Sequence, residues 1–440
     1  MSSIRECWSA SRAYRLLLIA AILYTLLRLA IQIYFFDDAF RPEAVAEGVQ
    51  VSADLQQSYI ASAERFRARE DLYLTGSLEH VEAHYLYSPA FAFFFGPILL
   101  LPLQILLPLM VIVHIAVYVL LYLVWDRIFQ KNGLNSISRQ WAYLLPVFLV
   151  FSPFWDDLSY MNTYMIIALF ASLLIGTILR ENLIWSIVWL GVFILPIKPH
   201  WAFALAIPLL LGRYRFFFKL LAGSMIAYLV VAGFTVLAGG VDYGLQQYQG
   251  YFAFLARLSR DYPWWGPDKP FLGYNHSVLQ IVLYMLGVST ANMRIAEILK
   301  ILLLLPLGWV SLKFIRHPIN KPGHEIPEIT LALAFVLYLG AFIWLDMVWE
   351  LSLGLVIFAY LLATTRQKWI RAVLWILFAP YALLDIWRLV SYMALGEDVL
   401  YEGAYVLTDP LTYVPWIMMV ILVFYALLLR KLNRFSLQTS

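Results

Sequence analysis

Residues 16–36 read LLLIAAILYTLLRLAIQIYFF, and this apolar run decides the class of the protein. As an α-helix it is long enough to cross the hydrocarbon core of a bilayer, which takes about 20 residues. The run follows Arg5, Arg12 and Arg15 and shows no small-residue cleavage site. We therefore interpret it as a retained first membrane span and not as a signal peptide.

The composition of the whole chain leads to the same class. Of its 440 residues, 62% are apolar and 13% are charged, and the mean hydropathy is +0.76. A typical soluble domain is about 45–50% apolar and about 25% charged. A water-soluble enzyme, a disordered protein and a nucleic-acid binder are therefore excluded. The sequence predicts an all-α polytopic membrane protein that forms a single domain over residues 1–440.

Apolar stretches recur along the chain and predict about 12 membrane-spanning helices. Two further stretches, 89–103 and 275–289, are short or carry proline and polar residues, so we expect them to enter the membrane only partway. The predicted spans are 16–36, 106–126, 141–155, 163–179, 183–196, 200–212, 216–238, 295–315, 329–345, 347–364, 372–391 and 413–430.

The distribution of charge gives these spans an orientation. With the amino terminus in the cytoplasm, 19 of the 31 basic residues fall in cytoplasmic segments, as the positive-inside rule requires. The opposite side is acidic, because residues 37–88 alone hold ten carboxylates. The sequence thus predicts a multi-pass protein of the plasma (inner) membrane with both termini in the cytoplasm.

Long connections on the external side hold most of the candidate functional residues. Segment 37–105 is predicted to contain a half-inserted helix and an amphipathic helix around Arg65, Arg67 and Arg69. These arginines are more typical of lipid-headgroup contacts than of catalysis. Segment 239–294 is predicted to contain an external loop and a re-entrant stretch.

Polar residues at the external ends of the spans indicate a partly embedded cavity. Lys198, between Pro196 and Pro199, opposes the positive-inside bias, which favours a functional role. Arg28 either pairs with a buried acid or extends to the membrane surface. The acids have a structural alternative as ordinary helix ends or turns, and the aromatic residues at 262–265 fit an interfacial belt or a sugar platform. The polar set comprises Asp37, Asp38, Asp54, Asp156, Asp157, Asn162, Lys198, Asn275, His276, Ser277, Asp346 and Glu350.

Motifs of soluble enzymes do not occur in the sequence. There is no phosphate-binding glycine loop, no HExxH and no GxSxG. The single cysteine, Cys7, excludes an intrachain disulfide. His80 and His84, with Glu82 between them, have the spacing of metal ligands on a helix, but two histidines do not specify a site.

Four sequence blocks, spread over most of the chain, carry a family resemblance. They are DLQQSY at 54–59 with DLY at 71–73, YSPAF at 87–91, IKPH at 197–200, and NHS at 275–277 with WE at 349–350. In these blocks the chain resembles glycosyltransferase family 87, the membrane mannosyltransferases of the GT-C superfamily that use polyprenyl-phosphate sugars. The resemblance implies a GT-C-like bundle of about 12 transmembrane helices with external juxtamembrane helices.

Two positions depart from the family pattern. The family's G-Q-x-N reads Met161-Asn162-Thr163-Tyr164, so that only Asn162 is a near equivalent. Its W-E-H run reads Trp349-Glu350-Leu351 and lacks the histidine. Both changes are expected near the sugar or the acceptor, so the identity of the sugar does not carry over.

The resemblance implies an inverting transfer of a hexose, mannose by family default, from polyprenyl phosphate to an acceptor hydroxyl on a glycolipid or glycan. Such an acceptor needs a general base, and the resemblance assigns this role to Asp54, with Asp37 and Asp38 as alternates. The donor phosphate would contact Lys198, Asn275 and His276. The remaining substrate contacts would come from Tyr59, Asn162, Ser277, Trp349 and Glu350.

A phosphate leaving group departs without an acid to protonate it, so we expect no metal and no cofactor. Two other functions remain open on the sequence: a transporter or flippase for a glycolipid, and a ligase or polymerase of lipid-linked glycans. A transporter built from inverted halves is expected to carry an internal repeat, and the sequence has none that we can defend.

Overall fold

The computed structural model describes residues 2–39, 54–73, 85–261, 275–316, 325–346, 350–395 and 410–439. Within these ranges the chain forms helices, turns and loops and contains no strand. This confirms the predicted all-α class. The buried apolar side chains of the described residues form one large cluster and a small one around Cys7.

The first half of the chain contains many short helices, and several of them have proline in their first turn. In chain order they are α1 (Ser2–Ala10), α2 (Arg12–Ala39), a π-helical segment (Asp54–Ile60), α3 (Ala61–Ala68), α4 (Pro89–Phe95) with a 3-10 turn (Gly96–Leu100), α5 (Leu103–Lys131), α6 (Asn135–Tyr143), α7 (Leu145–Leu149), α8 (Ser152–Tyr160), α9 (Tyr164–Leu179), α10 (Leu183–Ile187), a π-helical segment (Val188–Ile194), α11 (Leu195–Ile197), a 3-10 segment (Pro199–Leu205) and α12 (Ala206–Leu210).

The helices of the second half are longer. They are α13 (Tyr214–Gly239), α14 (Val241–Asp261), α15 (Val278–Leu286), α16 (Thr290–Arg316), α17 (Glu325–Trp344), α18 (Gly354–Thr364), α19 (Lys368–Ala382), α20 (Leu384–Leu395) and α21 (Pro410–Thr439).

Six of these helices are long and apolar enough to cross a bilayer: α2, α5, α13, α16, α17 and α21. Two bent pairs, α7–α8 with α9 and α19 with α20, bring the number to eight if each pair is one span. The structure thus confirms a polytopic membrane protein. Helix length and composition give six to eight membrane spans in the described residues and do not confirm the twelve predicted ones. The difference arises because the remaining apolar helices, such as α18 with 11 residues, are short.

The exposed faces of the long helices are apolar. On α2, α13 and α16, the side chains of Leu17, Leu237 and Leu302 are 62%, 72% and 54% exposed. Apolar surface of this extent is expected where lipid, and not water, surrounds the protein. By contrast, α9, α17 and α18 lie inside the bundle, with most of their side chains buried.

Two regions differ from the sequence-based expectation. Segment 239–294, predicted to contain an external loop and a re-entrant stretch, contains the 21-residue helix α14. A search for apolar runs overlooks this helix because it is amphipathic. The predicted spans 141–155 and 163–179 form one unit in which α7–α8 and α9 meet at a bend of 118°. The bend lies at residues 161–163, where Met161 adopts a left-handed backbone with φ of 50°.

Candidate functional site

A carboxylate and an amide from distant segments meet at the start of the 54–60 segment. The side-chain Nδ2 of Asn162 donates to Oδ2 of Asp54 at 2.6 Å. The amide oxygen of Asn162 accepts from the backbone N–H of Thr163 at 2.6 Å, which turns the amide nitrogen towards Asp54. Asp54 and Asn162, predicted separately as a base and a substrate contact, are therefore in direct contact.

Buried groups hold the turn that carries Asn162. The backbone N–H of Asn162 donates to the carbonyl of Asp157 at 2.9 Å, and the backbone carbonyl of Asn162 lies 2.7 Å from Nε2 of His114. Nδ1 of His114 lies 2.8 Å from the carbonyl of Met110. Oδ2 of Asp157 lies 3.8 Å from the same Nε2.

Asp157 also determines where α9 begins. Its two carboxylate oxygens accept from the backbone N–H groups of Tyr164, at 2.9 Å, and Met165, at 3.2 Å. These are unpaired donors of the first turn of a helix, and a carboxylate suits them in both geometry and charge. A residue of α8 thus caps α9 across the bend.

Lys198 reaches the same place from the break between α11 and the 199–205 segment. Its side chain is 8% exposed, and Nζ lies 3.2 Å from the centre of the Tyr164 ring and 5.6 Å from that of Tyr87. Aromatic faces attract a cation, so the rings hold the ammonium group in place. The charge of Lys198 acts on both Asp54 and Asp157.

Tyrosines line the side of the site next to Asp54. The hydroxyls of Tyr59 and Tyr87 are 3.1 Å apart, and that of Tyr59 lies 3.5 Å from Oδ1 of Asn162. Tyr87 also lies 3.4 Å from the Thr163 hydroxyl. Tyr59, whose substrate contact stays a prediction, thus lies beside Asn162, and Tyr87 lies beside Tyr59.

The environment of Asp54 changes its acidity. Burial raises the pKa of this carboxyl above its ordinary value of 3.8, while the positive charge of Lys198 and the hydrogen bond from Asn162 act in the opposite direction. A carboxylate with a raised pKa is a stronger base than an exposed aspartate. Burial lowers the pKa of the Lys198 amine to about 7, and the charges of Asp54 and Asp157 oppose this shift. The arrangement therefore places a carboxylate of raised pKa next to an amine that binds a proton near neutral pH.

A second polar cluster includes Asp156 of α8. Tyr381 donates to Oε2 of Glu350 at 3.1 Å, and Arg388 forms an ion pair with Asp156. His276 is wholly buried near Arg388, and burial lowers its pKa to about 3. The imidazole of His276 is therefore neutral at physiological pH.

Arg28 in α2 is half-buried and pairs with a buried acid, Asp385. Its Nε lies 3.2 Å from Oδ2 of Asp385, and its two other nitrogens donate to Gln32 at 2.9 Å and Ser159 at 3.2 Å. Tyr24 donates to Asp385 Oδ2 at 2.5 Å. An ionisable group inside a membrane helix needs such partners.

The predicted NHS block is engaged in local structure. Asn275 Nδ2 donates to the carbonyl of Asp346 at 2.9 Å, and Asp346 forms an ion pair with Lys300. The hydroxyl of Ser277 accepts from the backbone N–H of Gln280 and caps α15. These contacts describe how the block is positioned, and the substrate role predicted for it stays a prediction.

Several predicted residues lie where little or nothing is described. Asp37 and Asp38 belong to the last turn of α2, but their side chains are outside the description. The predicted residues that lie outside the described ranges are Trp349, His80, Glu82, His84 and the aromatic residues at 262–265.

Contributors to the two clusters that the sequence analysis missed include His114, Tyr164 and Arg388. His114 carried a usable signal, because an ionisable side chain within a long apolar run is costly unless it has a role. The other two acquire their meaning only from long-range contacts, with Lys198 and Asp156.

Comparisons with known proteins do not extend this description. No family model, no curated protein and no solved structure matches the chain.

Proposed function

We propose that the protein is an inverting membrane glycosyltransferase that moves a hexose from polyprenyl phosphate to an acceptor hydroxyl on a glycolipid or glycan. The proposal follows the resemblance to glycosyltransferase family 87, with mannose as the default sugar. The reaction would take place at the external face of the plasma (inner) membrane, with both termini in the cytoplasm.

The observation that carries the proposal is the meeting of Asp54, Asn162 and Lys198. They come from three separate segments, and their contacts and charges converge in one buried site. Burial of charged groups is costly, so an arrangement of this kind favours a functional role over a structural one. A base and an adjacent cation are the two groups that this transfer requires.

In the proposed reaction, Asp54 takes the proton of the acceptor hydroxyl as the oxygen attacks the anomeric carbon. The bond between that carbon and the phosphate oxygen breaks, and its electron pair stays on the phosphate. The attack comes from the face opposite the phosphate, so the anomeric configuration inverts. The amide of Asn162 orients the carboxylate through its 2.6 Å hydrogen bond.

Lys198 would stabilise the negative charge that develops on the departing lipid phosphate. A charge-assisted hydrogen bond from an ammonium group is stronger than a neutral one, and it acts most strongly where water is excluded. Contact with the Tyr164 ring keeps the group in position before the donor binds.

The proposed architecture is a GT-C-like bundle of about 12 transmembrane helices. The short apolar helices, among them α18, would complete the bundle alongside the long helices and bent pairs. The apolar polyprenyl tail would stay in the bilayer while its phosphate reaches the polar site at the interface.

The class of reaction is tested with purified protein in a detergent that has no sugar headgroup. Radiolabelled polyprenyl-phosphate mannose is added with an extract of host membrane lipids, and the label is followed into new glycolipid. We expect labelled product together with free polyprenyl phosphate, both dependent on the added lipids. Polyprenyl-phosphate glucose and galactose are assayed in parallel.

The same assay separates the proposed function from its alternatives. A flippase moves an intact lipid in vesicles and releases no polyprenyl phosphate. A ligase or polymerase transfers a preassembled glycan and leaves single-sugar donors unchanged. Failure of all three donors, with lipid movement in vesicles, would contradict the glycosyltransferase proposal in favour of the transporter.

A further inference from the structure

A cavity of about 320 Å³ lies between residues 71–73 and α14, apart from the Asp54 site. Its volume falls at the lower end of the range for small-molecule sites, about 300–1,000 Å³. The residues that line it and matter here are Asp71, Tyr73, Gln246, Gln249, Gly250 and Phe254.

Specific contacts build the walls of this cavity. The backbone N–H of Leu72 donates to Oε1 of the buried Gln247 at 2.9 Å, which attaches the 71–73 segment to α14. The N–H of Tyr73 donates to Oδ1 of Asp71 at 3.0 Å. A Cβ at Gly250 would lie 3.2 Å from the Tyr73 ring, so the glycine permits the close approach of the ring.

The lining has the chemistry of a site for a neutral ligand rich in hydroxyl groups. Gln246 and Gln249 offer amide donors and acceptors, and Asp71 offers a carboxylate. The rings of Tyr73 and Phe254, 5.9 Å apart between centres, supply apolar surface. None of the described lining residues is cationic, which argues against a phosphate or an anionic lipid headgroup.

The cavity connects to the Asp54 site through a tyrosine. The hydroxyl of Tyr73 donates to the carbonyl of Tyr87 at 2.7 Å, and the Tyr87 ring lies 5.6 Å from Nζ of Lys198. The wall of the cavity is therefore joined to the Asp54 site by direct contacts of Tyr73 and Tyr87.

We propose that this cavity binds a saccharide and is the subsite for a sugar residue of the acceptor. Polar side chains contact the hydroxyls, and the aromatic rings contact the C–H face of the sugar. The assignment of the bound sugar to the acceptor rests on the proposed glycosyltransferase function, whereas the binding of a saccharide does not.

Binding is tested directly by saturation-transfer NMR on the full chain in a detergent without a sugar headgroup. The probes are mannobiose and maltotriose. The Gln246→Ala/Gln249→Ala double variant changes two exposed side chains, and Gln367→Ala is the matched control at an exposed position far along the chain. We expect saturation transfer in the wild type and control, and binding weakened by about tenfold or more in the double variant, since two hydrogen-bonding side chains are lost.

Absence of saturation transfer in the wild type, or equal binding by the double variant, would overturn the subsite. Asp54→Asn separates this outcome from failure of the proposed function, because it should keep sugar binding while it loses transfer. In the transfer assay the double variant should raise the KM for the acceptor about tenfold and leave the KM for the donor unchanged. Sugar binding without any transfer would retain the saccharide site and remove its acceptor role.

Discussion

At the scale of single residues, the acidity of Asp54 links the structure to a measurable property. The carboxyl must be ionised to act as a base, and burial favours its neutral form. Lys198 and Asn162 act in the opposite direction and keep part of the ionised form. The raised pKa means that the base is neutralised, as pH falls, earlier than an exposed aspartate would be.

The pH dependence of transfer should therefore have an acid limb above the range of an ordinary aspartate. Lys198→Met removes a positive charge that lowers the pKa of Asp54, so the limb of the residual activity should move to higher pH. Lys131→Met, at an exposed position at the end of α5, is the control and should leave it unchanged. Rates measured across pH decide the matter, and a limb displaced to lower pH in Lys198→Met would contradict this account of Asp54.

Part of this site could be predicted from the sequence, because two of its residues stand out from the sequence around them. Lys198 between two prolines contradicts the charge bias of the chain, and Asp54 stands in a block that resembles a known family. The electrostatic interaction between Lys198 and Asp54 depends on the fold, which brings the 54–60 segment to the turn at Asn162. Single residues such as His114 gain partners in the same way, so the composition of the site could not be read in full from the sequence.

At the scale of elements, close packing of helices depends on positions that have no side chain. A Cβ at Gly191, in the 188–194 segment, would lie 2.6 Å from the carbonyl of Ser224 and 2.8 Å from Cβ of Ala227 in α13. Backbone of one helix thus contacts backbone of the other, as small residues permit in membrane bundles. At Gly233, also in α13, an added Cβ would meet nothing within 4 Å.

Gly191→Ala should therefore destabilise the protein, by about 1–3 kcal/mol, since the two helices must separate to admit the methyl group. Gly233→Ala is the matched control, and its stability should be unchanged or slightly higher because alanine favours helix. Thermal unfolding in detergent, followed by circular dichroism, compares the two variants with the wild type. Equal transition temperatures for all three proteins would contradict the claim that close packing at Gly191 stabilises the protein.

The elements predicted best are those whose apolar run is long and faces lipid. Helices α2, α13 and α16 agree with the predicted spans to within a few residues, because bilayer thickness alone sets their length. The prediction failed for α14, whose amphipathic sequence lies outside any apolar run, and for the 145–179 unit. There a left-handed turn at Met161 bends the chain, and hydropathy carries no record of such a turn.

At the scale of the whole molecule, the charges predict on which side of the membrane each polar surface lies. The cytoplasmic side should contain the connection between α18 and α19, and the external side should contain the start of α14. Native Cys7 is 1% exposed; it is nevertheless replaced by alanine so that the introduced cysteine is the single thiol of the chain.

In that background, Asp242→Cys should react with a membrane-impermeant maleimide in intact cells. Gln367→Cys should react only after the membrane is permeabilised. Both positions are exposed, so lack of access across the membrane is the expected reason for any difference. The reverse pattern would place the candidate site in the cytoplasm and contradict the proposed orientation.

The most direct test of the central claim, that Asp54 is the base of a sugar transfer from polyprenyl phosphate, is the single-turnover rate with radiolabelled polyprenyl-phosphate mannose. Wild type, Asp54→Asn and the exposed control Asp242→Asn are compared once thermal unfolding has shown that all three unfold at the same temperature. Loss of a general base is expected to slow transfer by about 10²–10⁴-fold in Asp54→Asn, with Asp242→Asn equal to the wild type. An equal rate in Asp54→Asn would contradict the claim.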